Sequence, residues 1–294
     1  LSKAFEMLTK MYGMPDYGEF DPTPLLAPFY ALFFGMCVGD AGYGLLLVLL
    51  GLYLKKKVSK SMAGLMNLLI TLGVATTIVG AVFNTFFGAS ITDLDLPEWM
   101  NSLIISGKWD GLAYDKTMVI ALLVGMFHIC FAMGVKAVCE TVRYGFKNSL
   151  SAWAWLLLIG GSVTVATLNY LGVIDMEMSK MAFIGIGCVS AIGIYLLNNL
   201  RRNVFVNIGA GLWDTYNMAT GILGDLLSYL RLYALGLAGG MLGGVFNSLG
   251  MQLRDAVGDF LFGIPGWICF GLIFVAGHSL NIALSCLSGY VHSI

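Results

Sequence analysis

The chain has 294 residues; 58% are hydrophobic, 11% are charged, and the formal net charge is −1. Soluble domains carry about 25% charged residues, so this composition marks a polytopic membrane protein. It also argues against a nucleic acid partner, and with no phosphate loop, metal-ligand spacing or nucleophile beside a base in view, neither a catalytic site nor a cofactor is expected.

Residues 1–23 include Lys3, Glu6, Lys10, Asp16, Glu19 and Asp21 and read as a polar linker from a preceding cytoplasmic domain. Leu1 opens no basic leader, and Val291-His292-Ser293-Ile294 stops inside an apolar run. The sequence therefore reads as a piece of a longer polypeptide at both ends. A transmembrane domain is expected over 24–294. Its first run, 24–54, would make one helix of roughly 46 Å, long for a ~30 Å hydrocarbon core. Gly39-Asp40-Ala41-Gly42-Tyr43-Gly44 in its middle favours a bend, so a short helical hairpin is the preferred reading. Asp40 is expected there as a turn or interfacial residue.

Further spans are expected at 64–90, 117–140, 150–172, 180–198, 219–249 and 260–294, on the criterion of about 20 apolar residues per crossing. The runs are continuous rather than alternating, which selects helices over a barrel. Lys55, Lys56, Lys57 and Lys60 follow the first run. Arg143 and Lys147, with Lys136 nearby, follow 117–140, and Arg201 and Arg202 follow 180–198. These loops fall on one side, expected to be cytoplasmic. The 91–116 loop, with Pro97, Trp99 and Trp109, is placed at the opposite interface, on the side that also receives 173–179 and 250–259. The mixed stretch 203–218 reads as an interfacial segment. The six cysteines show no CxxC spacing and read as small hydrophobes. The expected fold is all-α: a polytopic transmembrane bundle of about eight spans, beginning with a short hairpin, ending in two long helices, with both ends cytoplasmic.

Arg231 is the one Lys or Arg deep inside a long apolar span. A cation at the bilayer centre costs at least ~2.5 kcal/mol on insertion scales, and function is the default reading of such a residue. Gly224, Leu227, Ser228, Ala234, Leu235 and Ala238 share its helix face, with Thr220 and Asn217 further back. This mostly small face admits close approach of another helix. The charge favours a polar moving partner or a wet cavity over static packing. Asp225 lies about 240° around the helix from Arg231, poorly placed to pair with it. Lining an aqueous path and bonding to another helix remain open for it.

In the last run, His278, Asn281, Ser285, Ser288, Gly289 and His292 fall on one face. The stripe reads as a half-channel wall or as contacts to the Arg231 helix, against a background of ordinary interhelical hydrogen bonds. His128 stands alone in its span, where a hydrogen-bonded structural histidine is the commoner case.

These residues resemble a known family. Leu227-Ser228-Tyr229-Leu230-Arg231-Leu232-Tyr233-Ala234-Leu235-Gly236-Leu237-Ala238 is similar to the arginine helix of the stator membrane subunit of V/A-type rotary ATPases, called a in eukaryotes and I in bacteria and archaea. Asp21-Pro22-Thr23-Pro24, Phe33-Phe34-Gly35 and the Gly39–Gly44 stretch resemble its first membrane hairpin. His128 stands where the family has a histidine, and His278-Ser279-Leu280-Asn281 through His292-Ser293-Ile294 resembles its last helix. Three departures are visible. The family's second arginine would fall just beyond Ile294. Eukaryotic members place a histidine where this chain has Gly239, and a glutamate where it has Ser285. The resemblance implies half-channels for H⁺ or Na⁺ and a rotor ring of small membrane subunits, each with a buried carboxylate facing Arg231. It further implies a peripheral stalk and catalytic sector reached through a soluble N-terminal domain, in a bacterial or archaeal plasma membrane. Asp225, Ser228, His128, His278, Asn281, Ser285 and His292 are the candidate half-channel or supporting residues. The alternatives are a secondary transporter using Arg231 to bind an anion, for which no inverted repeat is visible, and a passive scaffold holding it in a static ion pair.

Overall fold

The computed structural model describes Phe5 and residues 23–57, 62–93, 103–105, 107, 115–146, 149–170, 172–196, 204–257 and 263–293. The 1–23 linker apart from Phe5 and Thr23, the tryptophans of the 91–116 loop, and Lys60, Lys147, Arg201 and Arg202 lie outside the described residues. Among the described residues there are eight α-helices, and six are long and apolar enough to cross a membrane. The expected all-α polytopic bundle is the fold.

Helix α1 (Thr23–Val38) and helix α2 (Ala41–Lys57) form the expected hairpin. Gly39 takes φ +60°, a left-handed conformation that ends α1 without the penalty a Cβ would bring. Asp40 then caps α2, its Oδ1 accepting the N–H of Gly42 at 2.8 Å and of Tyr43 at 3.2 Å. Lys55, Lys56 and Lys57 close α2 and favour the negative end of its dipole. Both arms pack chiefly on helix α3 (Ala63–Val82) rather than on each other. Phe5, Tyr30, Phe34, Tyr43, Leu47, Leu68 and Leu72 are buried in this core.

The expected 64–90 span ends at Val82. Two short strands follow, β1 (Thr85–Phe86) and β2 (Ala89–Ser90), paired antiparallel with Phe86 opposite Ala89. Their two-residue loop, Phe87-Gly88, has φ +48° and +71°, the signs of a type I′ turn. Phe86 and Phe87 kept this hairpin inside an apolar run, which is why it read as membrane span.

Helix α4 (Lys116–Tyr144), helix α5 (Leu150–Tyr170) and helix α6 (Met176–Ala191) follow, the last continuing as one π turn over Ile192–Leu196. Helix α7 (Val204–Val257) is one uninterrupted helix of 54 residues, roughly 80 Å long. The 203–218 stretch, expected at an interface, is helical from Val204 onward. Helix α8 (Ile264–His292) starts after Gly263, with Pro265 in its first turn, where a missing N–H costs nothing.

The contacts divide the chain into two compact units. One holds α1–α3, the β hairpin, α8 and α7 from Ser228 onward; the other is Leu123–Leu227. In the second unit, Trp155, Ala154 and Ile194 form a small core packed by Met133, Leu158 and Met218. Trp153 Nε1 donates to Thr141 Oγ1 at 2.9 Å, pinning α5 to α4.

Candidate functional site

Arg231 is exposed on α7. Its Nη2 donates to Ser228 Oγ at 3.2 Å, one turn earlier on the same helix. Two tyrosines grip the helix around it. The Tyr229 ring lies 5.3 Å from Phe33 on α1, and Tyr233 Oη donates to Asp115 at 2.9 Å. Residues two away point about 200° from Arg231, so the tyrosine contacts hold α7 from the side opposite the guanidinium. Among the described residues no carboxylate pairs with Arg231. On its face, Gly224, Leu227, Ala234 and Ala238 are exposed and Leu235 is half-buried.

The polar stripe of α8 is buried. His278 is 4% exposed, Asn281 1% and Ser285 8%, while His292 is half-buried in the helix's last turn. Asn281 Nδ2 donates to the Gly239 carbonyl at 2.8 Å and to Tyr43 Oη at 2.7 Å. Tyr43 Oη lies 2.7 Å from His278 Nδ1, and His278 Nε2 lies 3.0 Å from Asn247 Oδ1. Asn247 Nδ2 donates to the Phe87 carbonyl at 2.7 Å. One connected set of side chains thus joins α2, α7, α8 and the β hairpin.

Glycines let α7 come this close. A Cβ on Gly236 would lie 2.4 Å from the Met36 carbonyl oxygen, and one on Gly88 2.4 Å from the Gly243 backbone. Gly236, Gly239 and Gly243 follow helical steps of three and four, ending at Asn247. Beside this ridge is a cavity of about 130 Å³ between α1, α7 and α8. Its lining includes Leu235, Ala238, Asn281, Ser285 and Ser288. Leu235 and Ala238 belong to the Arg231 face, so the two patterns recognised separately in the sequence meet there.

Asp40 is fully buried. Besides capping α2, it accepts the Phe87 N–H at 2.9 Å on Oδ1 and the Gly88 N–H at 2.8 Å on Oδ2. Four backbone donors satisfy the carboxylate, and in return it holds a turn in which Phe87 adopts a conformation non-glycine residues disfavour. The expected turn residue is therefore also a long-range clamp.

In the second unit, His128 is half-buried and Asp225 exposed, near enough for the carboxylate's field to reach the imidazole. Of the candidates, Arg231 meets Ser228, and His278, Asn281 and Ser285 gather on α8; Asp225 makes no ion pair with Arg231. Asp40, Tyr43 and Asn247 were not singled out for this buried layer. Asp40 had a local signal, an Asp just before a helix start. Tyr43 and Asn247 had none, because their partners are 31 to 238 residues away. Among the described residues no group of His, Cys, Asp or Glu is arranged to hold a metal ion.

A buried polar layer beside an exposed arginine on a very long apolar helix defines the class: a polytopic membrane subunit built around one arginine helix. No family model matches the chain. It is 30% identical to the A-type ATP synthase subunit I of Methanocaldococcus jannaschii over 99% of its own length and 44% of that relative. The A-type ATP synthase subunit I of Pyrococcus horikoshii is 29% identical over 99% of the chain and 42% of the relative. The V-type ATP synthase subunit I of Borreliella burgdorferi is 27% identical over 96% of the chain and 46% of the relative. The chain is a homologue of subunit I of the A-type and V-type ATP synthases, spanning less than half the length of these relatives.

Proposed function

We propose that this chain is the part of the stator that lines the ion half-channels of a V/A-type rotary ATPase. In this reading a rotor ring turns past α7, and each ring subunit presents a buried carboxylate to Arg231. An ion-loaded, neutral carboxylate tolerates lipid, whereas an emptied, charged one is costly there. Arg231 attracts the emptied form and favours ionisation, so the bound ion leaves. Its fixed charge also blocks ions from leaking between two offset half-channels. Moving one charge against 100 mV takes about 2.3 kcal/mol, supplied by ATP hydrolysis through rotation, and the reverse rotation makes ATP.

The observation that supports this best is the state of Arg231. Its guanidinium rests on one neutral hydroxyl, on an open face of small residues, with no described acid neutralising it. That favours a partner that arrives from outside the chain over the static ion pair of a scaffold. Ser228 orients the guanidinium. Asn281 and Ser285 line the cavity beside the arginine face, which is read as part of one half-channel, with His292 further along the stripe; His278 supports Asn281 through Tyr43. Asp225 and His128 are assigned to the other half-channel. The ions are H⁺ or Na⁺. The remaining partners are lipid, a peripheral stalk and the catalytic sector, and the setting is a bacterial or archaeal plasma membrane with both ends of the chain cytoplasmic. The test is ATP-driven ion uptake by vesicles holding the assembled complex. Arg231→Ala and Arg231→Lys are each expected to abolish uptake while the subunits still co-purify; lysine fails because its ammonium, unlike a guanidinium, loses its proton when desolvated.

A further inference from the structure

We propose that His278 is held as the neutral Nε2–H tautomer and positions the arginine helix without carrying protons. The assignment follows from two backbone carbonyls, which only accept hydrogen bonds. The Gly239 carbonyl lies 2.8 Å from one atom of the Asn281 amide, so that atom is Nδ2. The same nitrogen uses its second hydrogen on Tyr43 Oη at 2.7 Å. The hydroxyl oxygen is then occupied as an acceptor, and its own hydrogen points to His278 Nδ1 at 2.7 Å. A bare Nδ1 gives that hydrogen its acceptor. At the other end, the Phe87 carbonyl fixes Asn247 Nδ2 at 2.7 Å, which turns Asn247 Oδ1 toward His278. Nε2 lies 3.0 Å from that oxygen and carries the hydrogen.

Every hydrogen in the chain runs in one direction, from Asn281 through Tyr43 and His278 to Asn247. A proton added at Nδ1 would face the Tyr43 hydrogen and force the hydroxyl to turn, leaving its hydrogen without an acceptor. A carboxamide neither gives up nor takes on a proton in the ordinary range, so both ends of the chain are closed to relay. The field of Asp40 reaches the imidazole, but among the described residues no carboxylate bonds to the ring: both Asp40 oxygens are engaged on backbone N–H groups. The Tyr43, Phe87 and Phe274 rings, with centroids 5.7, 5.5 and 4.3 Å from the imidazole, surround it with apolar surface. The set ties α8 to α2, to the β hairpin and to α7 at Gly239 and Asn247, and so fixes the register of the helix that bears Arg231.

The tautomer does not depend on the proposed function, and the first of its two tests is separate from transport. ¹⁵N NMR of the histidine-labelled full-length protein at neutral pH is expected to show His278 as a neutral ring with hydrogen on Nε2. The signal is assigned by its loss in His278→Gln. A doubly protonated ring, or one with hydrogen on Nδ1, overturns the proposal. A glutamine offers one acceptor and one donor about as far apart as the two ring nitrogens but cannot shuttle a proton. His278→Gln is therefore expected to keep coupled ion uptake within about threefold of the parent in the assembled complex. His278→Leu, which leaves a buried donor and acceptor unmet, lowers the yield of assembled complex about fivefold or more. Loss of uptake by His278→Gln with assembly intact also overturns the proposal. The NMR result decides it if that variant fails to assemble.

Discussion

Asn281 donates to the Gly239 carbonyl at 2.8 Å and so ties α8 to α7 about two turns beyond Arg231. The bond passes through a helix contact that a larger residue at position 239 would crowd, since a Cβ there lies 3.1 Å from Ser285 Oγ. Asn281→Leu removes this bond and the one to Tyr43 together. Leaving one buried partner unmet costs about 1–3 kcal/mol. The expected outcome is a lower unfolding temperature of the purified complex, read by a thermal scan in detergent. An unchanged temperature would show that the bond is not made.

Asp40 is the second anchor. Asp40→Asn keeps the size but replaces one acceptor oxygen with a donor, which then faces a backbone N–H. Each hydrogen bond to a charged group contributes about 1.5–3 kcal/mol, and the I′ turn at Phe87-Gly88 depends on two of them. Denaturation of the complex is expected to shift by at least one such bond. Protease cleavage within 85–90 is expected to rise in parallel, because the turn loses its hold.

The glycine ridge makes a paired prediction. Gly236→Ala places a methyl 2.4 Å from the Met36 carbonyl oxygen, a backbone atom that does not swing aside. Overpacking of this kind costs about 1–3 kcal/mol. Gly209→Ala, on the same helix, meets nothing within 4 Å and gains helix propensity. Expression and thermal stability are therefore expected to fall for the first variant and to hold or rise for the second.

Much of this arrangement was legible in the sequence. Gly39-Asp40 marked the hairpin apex because only a left-handed residue followed by a cap stops one helix and starts another so abruptly. The α8 stripe was legible because its steps from His278 keep one face. The extension of α7 back to Val204 was not: Asn207, Asp214 and Asn217 dilute an apolar run without breaking helix geometry, and hydropathy registers the dilution alone. The β hairpin was hidden for the opposite reason, its turn being made by Phe87 rather than the Asn or Asp that usually marks one. Tyr43 and Asn247 were invisible as a pair because the hydrogen bonds joining them through His278 are a property of the tertiary fold.

Lys136 and Glu140 give a contrasting expectation. They lie 3.9 Å apart on α4 with side chains 65% and 34% exposed. Pairs of this kind contribute about 0.3–0.5 kcal/mol in a helix. Lys136→Ala is expected to leave the unfolding temperature within the error of a thermal scan. A large drop would assign Lys136 a role beyond this pair.

In the proposed function the charge of Arg231 is answered by a moving acid on the rotor ring. The most direct measurement is disulfide cross-linking in the assembled complex between a cysteine at Arg231 and a cysteine at the ring carboxylate position, with ATP-driven ion uptake of Arg231→Ala measured alongside. A cross-link to the ring and no uptake by the alanine variant are expected. Wild-type-like uptake by Arg231→Ala, or a cysteine at 231 that never reaches the ring, would contradict it.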